Sequence, residues 1–209
     1  MSLAFSTIPL WLVGDDVTLD KRAAELVAFA TEQGFAHWRA QGTLYRGWVK
    51  VKNGHEAEGI SLLRSGSAAY RATGAEQLPH YTDLLASGWE IAGQIEEGLA
   101  NLNEALHIGE RTGERWLEAE LHRHKGQLLL QHGHTETAEE LYRKALSIAK
   151  EQQAKLWELR AAASLARLRR DQGRRAAARD LLAPVYGWFT EGFDTRDLKE
   201  AKALLDDLA

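Results

Sequence analysis

The stretch Gly133-His-Thr-Glu-Thr-Ala-Glu-Glu-Leu-Tyr-Arg-Lys-Ala-Leu-Ser-Ile-Ala-Lys-Glu-Gln-Gln153 decides the fold. Inside it Ala138, Leu141, Tyr142, Ala145, Leu146 and Ala149 recur at i, i+3, i+4 and i+7, the spacing of one helical face. The opposite face is charged. Glu139 stands four residues before Arg143 and Glu140 four before Lys144, acid first, the favourable order for exposed helical pairs. The segment is therefore an amphipathic helix whose apolar side needs a partner.

Both of its ends belong to series that run through the chain. Gly14, Gly54, Gly93, Gly133 and Gly173 follow at steps of 40, 39, 40 and 40, and Gly34, Gly74, Gly113, Gln153 and Gly192 at steps of 40, 39, 40 and 39. The second series falls midway between members of the first, so each unit holds two helices. Glycine just past a helix is the common left-handed stop, and Phe35 after Gly34 supplies the apolar contact of such a stop. Gln153, which has a Cβ, is read as a looser end.

Two helices in a period near 40 specify an all-α solenoid of stacked antiparallel hairpins, each burying its apolar face on its neighbours. The chain is read as one domain over residues 1–209, with an incomplete first repeat at 1–34 made of a short helix at 3–13 and another at 17–33. Full repeats follow at 35–74, 75–113, 114–153 and 154–192, and a capping helix at 193–209. That last helix is expected to take Asp194 as its N-cap and to place Leu198, Ala201, Leu204, Leu205 and Leu208 on one side. No comparable cap precedes the first repeat, so the natural protein is expected to continue upstream.

Composition agrees with this reading. The 209 residues are 44% hydrophobic with three prolines, which favours packed helices over sheet or disorder. A net charge of −4 does not suit a surface built to neutralise phosphates. Without cysteine there is no disulfide frame, zinc–thiolate site or thiol nucleophile, and a cytoplasmic location fits. The apolar run from Ile8 to Val13 is far shorter than the about 20 residues a bilayer needs, so no membrane partner is expected.

Four columns set by the glycines carry a family resemblance. Small residues stand at Gly47, Ala86, Gly126 and Ala166 and again at Gly59, Gly98, Ala138 and Ala178. Large ones follow at Leu63, Leu102, Tyr142 and Leu182, then Gly66, Ala105, Ala145 and Val185. This order resembles the packing code of the tetratricopeptide family. The family's early tryptophan column reads Thr43, Thr82, His122 and Ala162 here, its tyrosine column reads Lys50, Trp89, Leu129 and Arg169, and the period exceeds 34. In length and in phrases such as Glu118-Ala-Glu-Leu-His-Arg-His-Lys-Gly126 and Tyr186-Gly-Trp-Phe-Thr-Glu-Gly-Phe193, the chain looks like the C-terminal repeat region of large bacterial signalling proteins. Those carry an adenylate-cyclase-like or DNA-binding output domain and a central ATPase domain. None of the residues of those domains lies in this chain.

No catalytic or cofactor constellation emerges. Gly42-Thr-Leu-Tyr-Arg-Gly47 is followed by Trp48 where a phosphate loop needs lysine. His122 and His124 point about 200° apart on a helix and cannot chelate one ion, so they are read, with His132 and His134, as solvated groups near a helix end. Glu96 and Glu97 suit the first turn of a helix. Arg167, Arg169, Arg170, Arg174 and Arg175 read as a solvated helix C-terminus facing the dipole, and without interleaved aromatics nucleic acid is disfavoured. Trp38, Trp116 and Trp157 recur near first-helix starts, which implies packing between repeats.

The resemblance also implies where a partner would bind, because first helices line the concave groove in that family. Its groove positions fall here on Gln41, Leu44, Trp48 and Lys52, then His80, Asp83, Ser87 and Glu90. They continue as Glu120, Arg123, Gln127 and Gln131, and end with Arg160, Arg167 and Arg170. A protein or peptide segment is the expected occupant, with arginines forking onto its carboxylates. The co-chaperone branch clamps a C-terminal carboxylate with lysine and asparagine where Leu44 and Trp48 stand, so that ligand is not expected. The expected role is a non-catalytic regulatory scaffold that grips a partner segment, its own upstream domains or a second copy; self-association is the alternative, followed by a small-ligand or nucleic-acid-binding module.

Overall fold

The computed structural model describes residues 2–75 and 78–209. Met1 of the incomplete repeat, and Glu76 and Gln77 of the repeat read at 75–113, lie outside them. Among the described residues the structure is all-α, with α1 Ser2–Val13, α2 Asp16–Glu32, α3 Ala36–Lys52, α4 Glu56–Ala72, α5 Pro79–Ile91 and α6 Ile95–Thr112 in the first half. The second half has α7 Glu118–Gln131, α8 Thr135–Glu151, α9 Lys155–Asp171, α10 Arg175–Tyr186 and α11 Arg196–Asp207. No helix among these residues is long and apolar enough to cross a membrane.

The glycine series ends helices as their spacing predicts. Both series adopt positive φ throughout, and Gln153 joins them at φ 54°. Gln153 is therefore not a looser end. Its amide donates to the Lys150 carbonyl at 3.1 Å and the Ala154 amide to that of Ala149 at 2.9 Å, closing the same turn that Gly34 and Phe35 close on Thr31 and Ala30. The left-handed backbone costs a side chain on the order of 1 kcal/mol that glycine avoids. Phe35 folds back on Phe29 with rings 6.3 Å apart, the expected apolar clasp.

The small and large columns form the cores of the hairpins. Every residue of the four columns is buried. A Cβ added to Gly59 would stand 2.6 Å from the Val51 nitrogen and 2.7 Å from the Gly47 carbonyl oxygen, so α3 and α4 pack backbone against backbone there.

The chain divides into two compact units, residues 1–114 and 115–209. In the first, α1 to α6 pack in sequence order and α3 also touches α5. In the second, α7 to α10 pack likewise, α7 touches α9, and α11 lies against α9 and α10. Leu198, Ala201, Leu204 and Leu208 are buried in the core of that unit and Leu205 packs at its edge, so α11 caps the stack as its apolar side requires. Its N-cap is Thr195 in place of Asp194, and no side chain caps the helix.

Tryptophans join successive hairpins. Trp157 donates its Nε1–H to the Trp116 carbonyl at 2.9 Å with the two rings 6.2 Å apart, and Trp38 meets Phe5 edge-on at 6.3 Å.

Candidate functional site

In residues 1–114 the first-helix positions are largely filled by the unit's own side chains. Gln41 is buried and donates Nε2–H to the Ala4 carbonyl at 3.4 Å. Leu44 is fully buried against Gly66 of α4. Trp48 is buried beneath Lys52, whose ammonium lies 4.4 Å from the ring centroid and pairs with Asp16 at 2.5 Å. His80 and Asp83 are buried as well, with the Trp11 ring 6.4 Å from His80. Ser87 and Glu90 stay partly exposed. Five positions expected to meet a partner, Gln41, Leu44, Trp48, His80 and Asp83, are thus withdrawn from solvent. Polar residues recur on this face of the first helices, and α1 covers two of them, the Ala4 carbonyl meeting Gln41 and the Trp11 ring His80.

Burial sets the chemistry of this face. Desolvation lowers the His80 pKa to about 3, so its imidazole is neutral. The neighbouring Tyr45 and Tyr81 phenols are pushed up by burial and keep their protons. Around His80 the face is aromatic and its titratable rings are uncharged, with Asp83 buried on the same helix.

Residues 115–209 solve the same problem with charge. Glu120 is buried, and Arg123 forks onto it at 2.8 and 2.9 Å while donating to Gln127 at 2.8 Å. Arg160, one repeat later, reaches the same carboxylate at 3.3 Å and forks onto Asp197 of α11 through two bonds of 2.9 Å. Burial alone would raise the Glu120 pKa, but Arg123 and Arg160 overcome it and hold the carboxyl at about 2. Burial likewise opposes the Arg160 charge, and Glu120 and Asp197 outweigh it so that its pKa rises.

The ladder continues along α9 and α11. Arg167 pairs with Glu200 at 3.1 Å and Arg170 with Asp207 at 3.2 Å. Gln131 is exposed at the far end of α7. The arginine run is therefore not a merely solvated terminus: Arg174 also pairs with Glu139 at 2.9 Å, and Arg175 with the Asp207 backbone carbonyl. Three acids of α11, Asp197, Glu200 and Asp207, complete the surface and were missed in the sequence. Their spacing of i, i+3 and i+10 puts them on one helical face, a signal that could have found them.

The histidine cluster is corrected too. His122 and His124 are buried, and desolvation lowers the His122 pKa to about 4, whereas His132 and His134 are exposed at the turn. Among the described residues no group of acids and histidines could hold a metal ion.

No protein-family profile matches the chain. An uncharacterized protein of Rhizobium meliloti (strain 1021) is 30% identical over 123 residues, 58% of this chain and 12% of that protein. The chain thus spans about an eighth of the length of that relative. Among solved structures it is similar to PlcR of Bacillus thuringiensis, solved with the peptide PapR7 and DNA, at TM-score 0.76 and 10% identity over 100% of this chain and 73% of that one. It is similar to a Rap protein solved with Competence and Sporulation Factor, at TM-score 0.68 and 13% identity over 99% and 62% of the chains. A Podosopora anserina protein with nearly identical tetratricopeptide-like repeats, assigned as a kinesin light chain, gives TM-score 0.62 and 18% identity over 89% and 92%. At these identities the likeness shows the fold, which is tetratricopeptide-like.

Proposed function

We propose that this chain is a non-catalytic interaction scaffold, the sensing or coupling part of a bacterial signal-transduction or transcriptional regulator working in the cytoplasm. Its partner is a protein or peptide segment with an acidic helical stripe, received by the first helices α7 and α9. The observation that carries the reading is α11 itself: Arg160, Arg167 and Arg170 hold an amphipathic helix through Asp197, Glu200 and Asp207. The face has the spacing and charge to grip such a segment, which would take the place of α11 on these arginines. PlcR, solved with the peptide PapR7 and DNA, and Rap, solved with Competence and Sporulation Factor, share this fold.

Coupling to attached domains would follow from differential affinity, at about 1 to 3 kcal/mol between two states. Panning a random peptide library on the intact chain tests the reading. Selected peptides are expected to be acidic and to lose about tenfold affinity or more for the Arg123→Glu/Arg167→Glu variant. Peptides that bind both proteins equally would overturn it.

A second reading, self-association, has its own support in the first unit. Val17 is 85% exposed and Phe5 63%, with Val13 also exposed on the same two helices. Sedimentation of the chain across a hundredfold range of concentration separates monomer from dimer.

A further inference from the structure

We propose that the cleft between α8, α9 and α10 is a binding site for a small organic carboxylate bearing an apolar tail. The cleft has a volume of about 340 Å³, within the range of small-ligand sites. Its floor is Leu146, Leu165 and Leu181, one from each helix, and its rim carries Arg143, Lys150 and Arg169 with Ser147. Three cations and no acid line it. An apolar floor beneath a wholly cationic rim selects an amphipathic anion over a neutral ligand or a bare ion.

Arg169 makes this a built site. Its Nη1–H donates to the Ala177 carbonyl at 3.2 Å, and its Nε is shielded from solvent with no acceptor. A planar guanidinium with a desolvated, unanswered N–H is left with capacity for a carboxylate oxygen. The nearby acid Glu139 is turned to other cations, accepting from Arg143 on Oε1 and from Arg174 on Oε2, and does not reach the Arg169 Nε–H. Burial, together with the positive Arg143 and Arg174, lowers the Arg169 pKa, the signature of a cation in an under-neutralised cluster. A bound carboxylate relieves that repulsion while its tail covers the three leucines.

The site is separate from the arginine ladder on α11: Arg167 and Arg170 serve that ladder, and Arg169 between them turns to α8 and α10.

Isothermal titration of the intact chain with phenylbutyrate, phenylbutyramide and inorganic phosphate tests the proposal. Phenylbutyrate is expected to bind one to one, with the amide and phosphate each weaker by about tenfold or more. Arg169→Gln is expected to weaken phenylbutyrate about tenfold and Lys150→Ala about threefold. Lys150 is exposed, so Lys150→Ala keeps its fold and preserves the test if Arg169→Gln proves unstable. Absence of binding, equal affinity for acid and amide, equal affinity for phosphate, or an unchanged Lys150→Ala would each overturn the proposal.

Discussion

Thirteen residues before each closing glycine the repeats place an inward-facing polar residue: Gln41 and His80 in residues 1–114, Glu120 and Arg160 in residues 115–209. Of the first two, His80 is neutral between Trp11 and Tyr81 and Gln41 bonds the Ala4 carbonyl, whereas the second two form an ion pair at 3.3 Å that extends to Arg123 and Asp197. A neutral polar group can be buried by aromatic bulk from any neighbour. A buried charge needs a partner of opposite sign at a fixed register, so each helix of the ionic unit specifies the next. The proposed preference of α7 and α9 for an acidic helix rests on that specification, which Gln41 and His80 on α3 and α5 do not supply.

The contrast can be broken at the packing beneath it. Gly59→Ala forces a Cβ from α4 onto the α3 backbone at Val51 and Gly47, and a loss of about 3 kcal/mol or more in urea unfolding is expected. At the equivalent position of the ionic unit Ala138 already fits, so Ala138→Gly should lose only about 1 kcal/mol. Equal losses would mean that the two hairpins pack alike.

Next in size is the hub of the ionic unit. Glu120→Gln leaves Arg123 and Arg160 facing each other, and about 3 kcal/mol should be lost at neutral pH. Because the folded pKa of Glu120 lies near 2, below the usual 4.5, its contribution is full above pH 4.5 and fades as pH falls toward 2. The gap between wild type and Glu120→Gln should close over that window.

The neutral unit should respond to acid earlier. His80 has a folded pKa of about 3 against an ordinary 6.5, so the unfolded chain takes up its proton first. Stability is full above pH 6.5 and falls as pH drops toward 3, by roughly 2 to 3 kcal/mol at pH 4.5. His80→Gln should flatten this part of the profile in unfolding titrations, leaving the smaller slope from His122. An unchanged slope would place His80 outside the acid response.

The smallest effect belongs to the rim of the ladder. Arg170 and Asp207 are partly and largely exposed, and Arg170→Ala should shift stability by less than about 0.5 kcal/mol, a thermal-melt difference near the limit of detection.

These particulars show what the sequence could convey. The left-handed stops and the small columns at Gly47, Gly59, Gly126 and Ala138 were legible because each depends on a local requirement, a positive φ or a close backbone approach. Gln153 shows the limit of that rule, since the turn's two hydrogen bonds hold a non-glycine in the same conformation. The first-helix stripe was legible as a face. Its occupancy was not, because covering Gln41 and His80 depends on how far Ala4 and Trp11 of a preceding helix reach. His122 and His124 were misread for the same reason: spacing excluded chelation, yet burial came from neighbours. Asp197, Glu200 and Asp207 went unnoticed because their meaning arises only beside Arg160, Arg167 and Arg170.

The claim that α11 is held by arginine forks as well as by its leucines is tested most directly by a double-mutant cycle at Arg160 and Asp197. Urea unfolding of wild type, Arg160→Ala, Asp197→Ala and the double variant should give a coupling energy of about 1.5 kcal/mol, as fits a two-bond, partly buried pair. A coupling below about 0.3 kcal/mol would show that apolar contact alone seats the helix, and the proposed preference for acidic segments would lose its support.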